Sequence, residues 1–493
     1  MISTTPQRTE SRAARTIREV FGSGRPLVYI HSPEEQRVGR LLSGMGLPVW
    51  TWRLTEGIQR ADGTAVAGTE TPRAALDFVM AHQSEAIFHL KDFHEPLRDS
   101  AEIRRRLRDV YEASLNRRKF VVISSPVRLL PVEVERSIAL LELLPPDEVE
   151  LVEFLGETAR AAGKEPEDQA VHEVAAALRG LTLDEAGYAL KRALAAGHKL
   201  GADAMPALLE EKKMLVGRSG FIEFVAESTD LGEIGGLDIM KTWLRERRKL
   251  FQLRDRLSSE IVPKGVLIMG IPGCGKSLSV KATASYFQLP LYRLDMIEIF
   301  SGRHGKPEGV FVRACRMMEE MAPAVLWFDE IEMAVTSAEA GGEQGRIFAF
   351  FLTWMQEKTR GLFVAATANR IDLLPAEMIR KGRFDEVFFV DIPAPEEQIE
   401  IFKIHLNRRG ADASRFQLSQ LLQFTVGWTG AEIEQCVISA ITKSRLEDRE
   451  MVDQDLISIA AKLVPLSRTM KEQIGHIRNW AFERAIRASP VQR

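Results

Sequence analysis

The sequence predicts an α/β fold built as two tandem, related modules, each a parallel sheet with flanking helices and a helical lid. Three observations carry this. Short runs rich in β-branched and aromatic residues alternate with helical patterns in both halves, the signature of strands joined by crossover helices. Segments of the first half return in the second at a nearly constant offset. A glycine-rich turn in the second half follows an apolar strand and opens a helix. With 493 residues, the chain has room for about three domains. The expected division is a first module over 1–200, a linker over 201–229, the α/β part of the second module over 230–393, and an α-helical lid with a C-terminal helix over 394–493.

Composition narrows the function classes. Hydrophobic residues at 45% and charged residues at 27% exclude a disordered, collagenous or coiled-coil architecture. Lysine and arginine number 66 against 69 acids, so no global basic field exists and nucleic acid is not an expected partner. Cys274, Cys315 and Cys436 lie far apart. That spacing builds neither a disulfide framework nor a zinc site, and it suits a reducing compartment such as the cytoplasm, or the plastid stroma in a photosynthetic eukaryote. No apolar run is long enough to span a bilayer, so no membrane is expected. The arginine-bearing first residues read as the frayed start of a helix rather than a transit segment, because Glu10 and Glu19 interrupt them.

The repeat is internal and ordered. LLPVEVER at 129–136 returns as LLPAEMIR at 373–380, PPDEVELVEF at 145–154 as PAPEEQIEIF at 393–402, and GLTLDEA at 180–186 as GWTGAEI at 427–433. The offsets are 244, 248 and 247 residues, as a duplicated domain requires. The second copy places strands at 265–269, 290–294, 324–328, 363–367 and 386–390. Their near-continuous apolar character implies a parallel sheet covered on both faces. After Pro393 the pattern reads as helical to the end.

The copies differ at the first strand. In the second copy Gly270-Ile271-Pro272-Gly273-Cys274-Gly275-Lys276-Ser277 follows GVLIM, with Leu278 continuing into a helix. Glycines let backbone N–H groups wrap a phosphate chain, Lys276 brings a cation to the outer phosphates, and the Ser277 hydroxyl is a magnesium ligand. The helix N-terminus adds its dipole. These features predict a P-loop module for ATP with Mg2+. The first copy follows LVYI with HSPEEQRVGR, which has no lysine and only Gly39. It is expected to be a nucleotide-binding fold without its nucleotide site.

The strand Ala324–Phe328 delivers Asp329 and Glu330 at its C-terminal end, where open α/β sheets bind ligands. Asp329 is expected to hold magnesium through water, and Glu330 to orient and deprotonate the attacking water. Asn369, just after the next strand, offers an uncharged carboxamide to the same water.

These residues resemble the AAA class of ATPases over roughly 230–444. The resemblance implies that Ile234-Gly235-Gly236-Leu237 packs against adenine. It implies that Arg383, in Gly382-Arg383-Phe384-Asp385, reaches into a neighbouring subunit's site. It also implies that Gly427-Trp428-Thr429-Gly430-Ala431-Glu432 closes a lid over the base. IFAFFLTWMQEK at 347–358 and LLPAEMIRKGRFDEVFFVDIP at 373–393 further resemble the chloroplast and bacterial family called hypothetical chloroplast reading frame forty-six. Its members pair a degenerate N-terminal ATPase-like domain with one active AAA module. Together these imply an ATP hydrolase, acting in a homo-hexamer on a protein client. Two alternatives are a slow nucleotide-dependent scaffold or switch, and a nucleic-acid-stimulated ATPase.

Two positions depart from the class. Glu386 stands where a second arginine often follows Arg383, which leaves Arg383 as the expected finger and Arg380 as the weaker choice. Counting back from Asp329 puts Arg303-His304-Gly305 in the pore position, with Phe300-Ser301-Gly302 as the aromatic alternative. A cationic loop grips an apolar polypeptide poorly. Among weaker features, Cys274 would be a redox sensor if the cradle lowered its pKa. The arginine-rich stretch 98–119 reads as a solvated, ion-paired helix face, Asp92 as structural, and the helix near 474–486 as packing or a subunit contact.

Overall fold

The computed structural model of the chain describes residues 10–161, 168–195, 201–227, 229–254, 256–334, 343–380 and 382–490. The chain forms two compact units, residues 1–212 and 213–493. The division falls inside the helix Met205–Gly217.

The first unit holds β1 (Leu27–His31), β2 (Val49–Arg53), β3 (Gly57–Arg60), β4 (Ala65–Val66), β5 (Ala86–Lys91), β6 (Lys119–Ser125) and β7 (Ile138–Glu142). They form one sheet in the order β4-β3-β2-β5-β6-β1-β7. The stretch from β2 to β7 is parallel, while β3 and β4 extend its edge antiparallel. Successive side chains go to opposite faces, so each central strand feeds two cores. Tyr29, Phe88 and Val121 pack on one face, and Ile30, Ile87 and Val122 on the other.

The second unit holds β8 (Ile222–Val225), β9 (Gly265–Gly270), β10 (Leu291–Leu294), β11 (Ala324–Phe328), β12 (Leu362–Ala368), β13 (Glu386–Val390) and β14 (Ile486–Arg487). Their order is β14-β13-β9-β12-β11-β10-β8. Within the unit, Leu267, Phe328 and Val364 face one core, and Ile268, Trp327 and Phe363 the other.

Both sheets share one topology. Leaving out the edge strands β3, β4, β8 and β14, each reads fifth, first, fourth, third, second in chain order. The duplication extends to single hydrogen bonds. Thr182 and Glu185 form a capping box at the start of the helix Leu183–Ala195, and Thr429 and Glu432 form the same box before Gly430–Leu446. In the sheets, the His89 ring meets Ser124 Oγ at 2.7 Å, and Trp327 Nε1 donates to Thr367 Oγ1 at 3.3 Å.

Two sequence expectations need correction. The segment 201–229 is more than a linker: it includes β8, which pairs antiparallel with β10. The chain is also not helical to its end, because β14 pairs with β13. Backbone bonds pair that strand, with Ala488 N–H donating to the Phe389 carbonyl at 2.9 Å, and the Ser489 hydroxyl adds bonds to Leu237 and Glu397. Such bonds leave no side-chain periodicity to read. The lid itself is helical, with its own core around Phe402, Trp428, Ile433 and Leu456. The helix Lys471–Phe482 leaves it and buries Ile474 and Ala481 against the α/β core.

The arginines of 98–119 are largely neutralised: Arg98 pairs with Glu95, Arg104 with Glu133, Arg105 with Asp109, Arg106 with Asp77 and Arg118 with Glu85. Among the described residues no helix is long and apolar enough to cross a membrane.

Candidate functional site

The site grows from the end of β9. Gly270 has φ +150°, and a Cβ there would lie 2.1 Å from the Val390 carbonyl oxygen of the neighbouring strand. Only glycine lets the chain leave the sheet at this point. The loop then turns into the helix Lys276–Phe287, whose first-turn N–H groups have no partners within the helix and favour an anion. Ser277 is exposed on that turn. Lys276 is only 7% exposed, and its ammonium donates to the carbonyls of Gly270 and Ile271, each at 3.0 Å. Burial lowers its pKa to about 8, offset in part by the carboxylates of Glu332, Asp329 and Glu330. A buried cation held at the mouth of an N–H-rich loop is built to meet an anion.

The acidic side comes from β11 and β12. Asp329 Oδ1 accepts a 2.7 Å bond from the Thr367 hydroxyl. That hydroxyl also accepts from the Glu330 N–H at 3.3 Å. Glu330 sits at φ +49°, a left-handed conformation costing a side-chain-bearing residue about 1–3 kcal/mol. Its carboxylate accepts from Asn369 Nδ2 at 2.9 Å. One threonine thus orders the Asp329 carboxylate and the Glu330 backbone, and one asparagine meets the Glu330 carboxylate.

A cavity of about 440 Å³ joins these groups. Pro272, Gly273, Cys274, Gly275, Lys276, Ser277 and Leu278 line one wall, and Asp329, Glu330 and Asn369 the next. Gly235 lies at the other end, beside the lid. A Cβ on Gly235 would come within 2.6 Å of Ile401, so that segment lies flush on the first lid helix, Pro395–Arg408. Gly270 sits beneath, its carbonyl holding Lys276. The lid reaches the loop directly: the Ala431 N–H donates to the Gly273 carbonyl at 2.9 Å.

Arg383 does not line this cavity. Its guanidinium donates to the Glu377 carbonyl. Its loop is anchored by Lys264 Nζ, 3.0 Å from the Gly382 carbonyl, and by Asp385, which accepts from the backbone N–H groups of Lys264 and Gly265. Glu386 accepts from the Val387 N–H. Arg380 is exposed.

Several lining residues were missed by sequence reasoning. His405, Arg408 and Glu434 enter from the lid; no motif marks them, because they lie on ordinary amphipathic helices. Thr367 was legible in principle, as the hydroxyl in the otherwise apolar LFVAATA strand. Glu332 is 4% exposed and accepts the backbone N–H groups of Asn369 and Arg370.

The condition set for Cys274 as a redox sensor, a lowered pKa, is not met. Burial pushes its thiol up to about 12, and nearby Lys276 offsets this only in part. The pore alternative at Phe300 is weakened too: that ring packs against the core. Arg303 is exposed, whereas the His304 ring lies over Gly220 and stacks edge-on to Phe221.

In the first unit the corresponding turn is shorter. Only residues 32–34 connect β1 to the helix Glu35–Ser43, against residues 271–275 after β9. Arg37 lies on the helix Glu35–Ser43, 2% exposed. It donates to Glu34 at 2.6 Å, to Glu150 at 2.7 Å and to the Leu144 carbonyl at 2.7 Å. Lys91 ends β5 and Asp92 follows it, where Asp329 and Glu330 follow β11, and Asp92 keeps the left-handed turn at φ +50°. Pro126 follows β6 where Asn369 follows β12.

This fold and this pocket define the AAA class of ATPase. Residues 266–392 match the family described as ATPase family associated with various cellular activities. Residues 13–143 match the N-terminal domain, and 149–219 the second domain, of SpoVK-like AAA ATPases. The chain is 31% identical to the AAA domain-containing protein ycf46 of Trieres chinensis, over 95% of this chain and 96% of that protein. It is 32% identical to ycf46 of Pyropia yezoensis, over 94% and 96%. It is 30% identical to the proteasome-activating nucleotidase of Archaeoglobus fulgidus, over 45% of this chain and 58% of that protein. The chain belongs to the ycf46 family of AAA domain-containing proteins.

Proposed function

We propose that the second module binds ATP with magnesium and hydrolyses it, in a homo-hexameric ring that remodels a protein client. The observation that carries this reading is the single cavity joining the glycine loop, Lys276, Asp329, Glu330 and Asn369. Lys276 and the loop N–H groups hold the phosphates, while Gly235, Leu278 and the lid enclose the base. Glu330 takes the proton of the attacking water, and Asn369 orients it. The residues fit magnesium: a hydroxyl at Ser277 and a braced carboxylate at Asp329, with no cluster of three protein ligands among the described residues. That suits an ion which takes few protein ligands and completes its shell with phosphate and water. When bound, magnesium supplies charge neutralisation on the phosphates. Arg383, outside its own cavity, completes a neighbour's site.

Support for a protein client comes from the likeness to a proteasome-activating nucleotidase. The compartment in this reading is the cytoplasm or the plastid stroma, where the free thiols of Cys274, Cys315 and Cys436 stay reduced. The expected domain division stands as part of the proposal, with 201–229 now ending in an edge strand of the second sheet.

The test is Glu330→Gln, followed by ATP binding and phosphate release. The amide keeps the shape and loses the base, so ATP still binds while turnover falls by about 10²–10⁴. Wild-type turnover in this variant overturns the assigned base, and wild-type protein that takes up no ATP overturns the whole reading. A second reading, a slow nucleotide switch without threading, is favoured by the cationic Arg303 loop and the packed Phe300. A turnover well below about one per second, unresponsive to any protein, would support it.

A further inference from the structure

Glu332 lies one turn beyond the acidic pair, in the short helix Ile331–Ala334. Its side chain is turned inward and only 4% exposed. One oxygen, Oε1, accepts the backbone N–H of Asn369 at 2.8 Å and that of Arg370 at 3.0 Å. These two amides begin the loop after β12. The Asn369 side chain, on the same residue, donates to Glu330 at 2.9 Å. Glu332 and Glu330 therefore grip Asn369 from two sides, one by its backbone and one by its carboxamide.

We infer that Glu332 is a positioning residue for hydrolysis: it fixes the backbone of Asn369 so that the carboxamide and the Glu330 carboxylate are held at one separation. The inference rests on the hydrolytic reading above. A buried carboxylate accepting two N–H groups makes charge-assisted bonds, roughly twice as strong as neutral ones. Without it, the loop after β12 loses the anchor nearest the reacting water. Strand β12 itself is held by its ladders to β11 and β9, so the slack is confined to Asn369 and the loop residues after it. Glu332 touches neither the water nor the phosphates in this scheme. It acts through Asn369.

The position of the two N–H groups makes the assignment separable from charge. A glutamine keeps an oxygen acceptor in the same place; alanine and leucine do not. The experiment is to prepare full-length Glu332→Gln, Glu332→Ala and Glu332→Leu. Each is measured for ATP affinity with a fluorescent analogue, for kcat and KM, and for amide hydrogen exchange at Asn369 and Arg370. Alanine and leucine are expected to lower kcat by about a hundredfold, the scale of a 1 Å misplacement. Their nucleotide affinity should fall clearly less than kcat, because the Glu332 charge is one of three carboxylates that favour the Lys276 ammonium, and Asp329 and Glu330 remain. Exchange at the two amides should quicken in both variants. Glutamine should restore kcat to within about tenfold and slow the exchange again, since a neutral acceptor keeps the bonds at lower strength.

Unchanged exchange at both amides, or glutamine as defective as alanine, overturns the positioning role. Equal losses of affinity and kcat overturn it as well, because they place Glu332 in nucleotide binding. If the wild-type chain binds ATP but does not turn it over, hydrolysis fails as the function, and the exchange measurements still decide whether Glu332 holds the loop.

Discussion

The backbone N–H of Leu183 donates to the Glu34 carboxylate at 2.7 Å. Leu183 opens the helix Leu183–Ala195 of the first unit's lid, and Glu34 belongs to the shortened turn after β1. In the second unit the same place in the lid meets the glycine loop instead, through Ala431 and Gly273. The first unit thus ties its lid to its sheet with its own carboxylate. Arg37 neutralises that carboxylate together with Glu150. Burial raises Glu34 above the usual carboxylate range, and the Arg37 guanidinium opposes the rise.

Arg37→Met should therefore loosen the first unit without touching the second. It removes the cation between two buried carboxylates, which costs about 3–5 kcal/mol. Hydrogen exchange should quicken across the helices Glu148–Ala161 and Leu183–Ala195, while ATP affinity stays at the wild-type value. Exchange unchanged in both helices would show that the cluster does not secure the lid.

Thr367→Val should separate metal use from folding. The hydroxyl braces Asp329 and accepts from Glu330, and valine offers neither bond at nearly the same volume. The unsatisfied groups cost about 1–3 kcal/mol. The magnesium concentration for half-maximal turnover should rise by about tenfold, read from a metal titration at saturating ATP. An unchanged midpoint would mean Asp329 needs no brace.

ATP binding should take up a proton at alkaline pH. The Lys276 ammonium has its pKa lowered to about 8 by burial. Phosphate favours the charged form and so raises that pKa on binding. Below about 8 the lysine is already protonated and little proton is exchanged; above it, binding must protonate the amine, and affinity falls as pH rises. Calorimetry in two buffers of different ionisation enthalpy reads the proton count directly. Equal apparent enthalpies above that pH would refute the linkage.

Arg383 lies outside its own cavity, and in the proposed ring it serves a neighbour's site. Arg383→Ala should lower turnover by about 10³ or more. Mixing it with Glu330→Gln should recover activity, because an intact pocket then meets an intact arginine at some interfaces. No recovery in assembled mixtures would remove the finger assignment.

Much of this was legible in the sequence, for identifiable reasons. The cradle over Gly270–Ser277 depends on glycines and a lysine at fixed spacing, so local order alone reveals it. Asp329, Glu330 and Asn369 each come after a strongly apolar strand, and sheet topology then places strand ends together. The repeat showed that the first unit would copy the fold without the cradle.

What the sequence by itself determined was therefore the fold class, the duplication and the residues carried at strand ends. Tertiary structure alone decided the rest. It brought Thr367 against the Asp329 carboxylate and the Glu330 backbone, and Glu332 under the Asn369 backbone. It set Cys274 half-buried on the cavity wall, where desolvation outweighs the neighbouring cation. It joined β8 and β14 to the second sheet through main-chain bonds. The physical reason is common to all four. Hydrogen bonds to backbone, and the desolvation that sets a pKa, depend on what lies across space, whereas periodicity and motif spacing report only what lies along the chain.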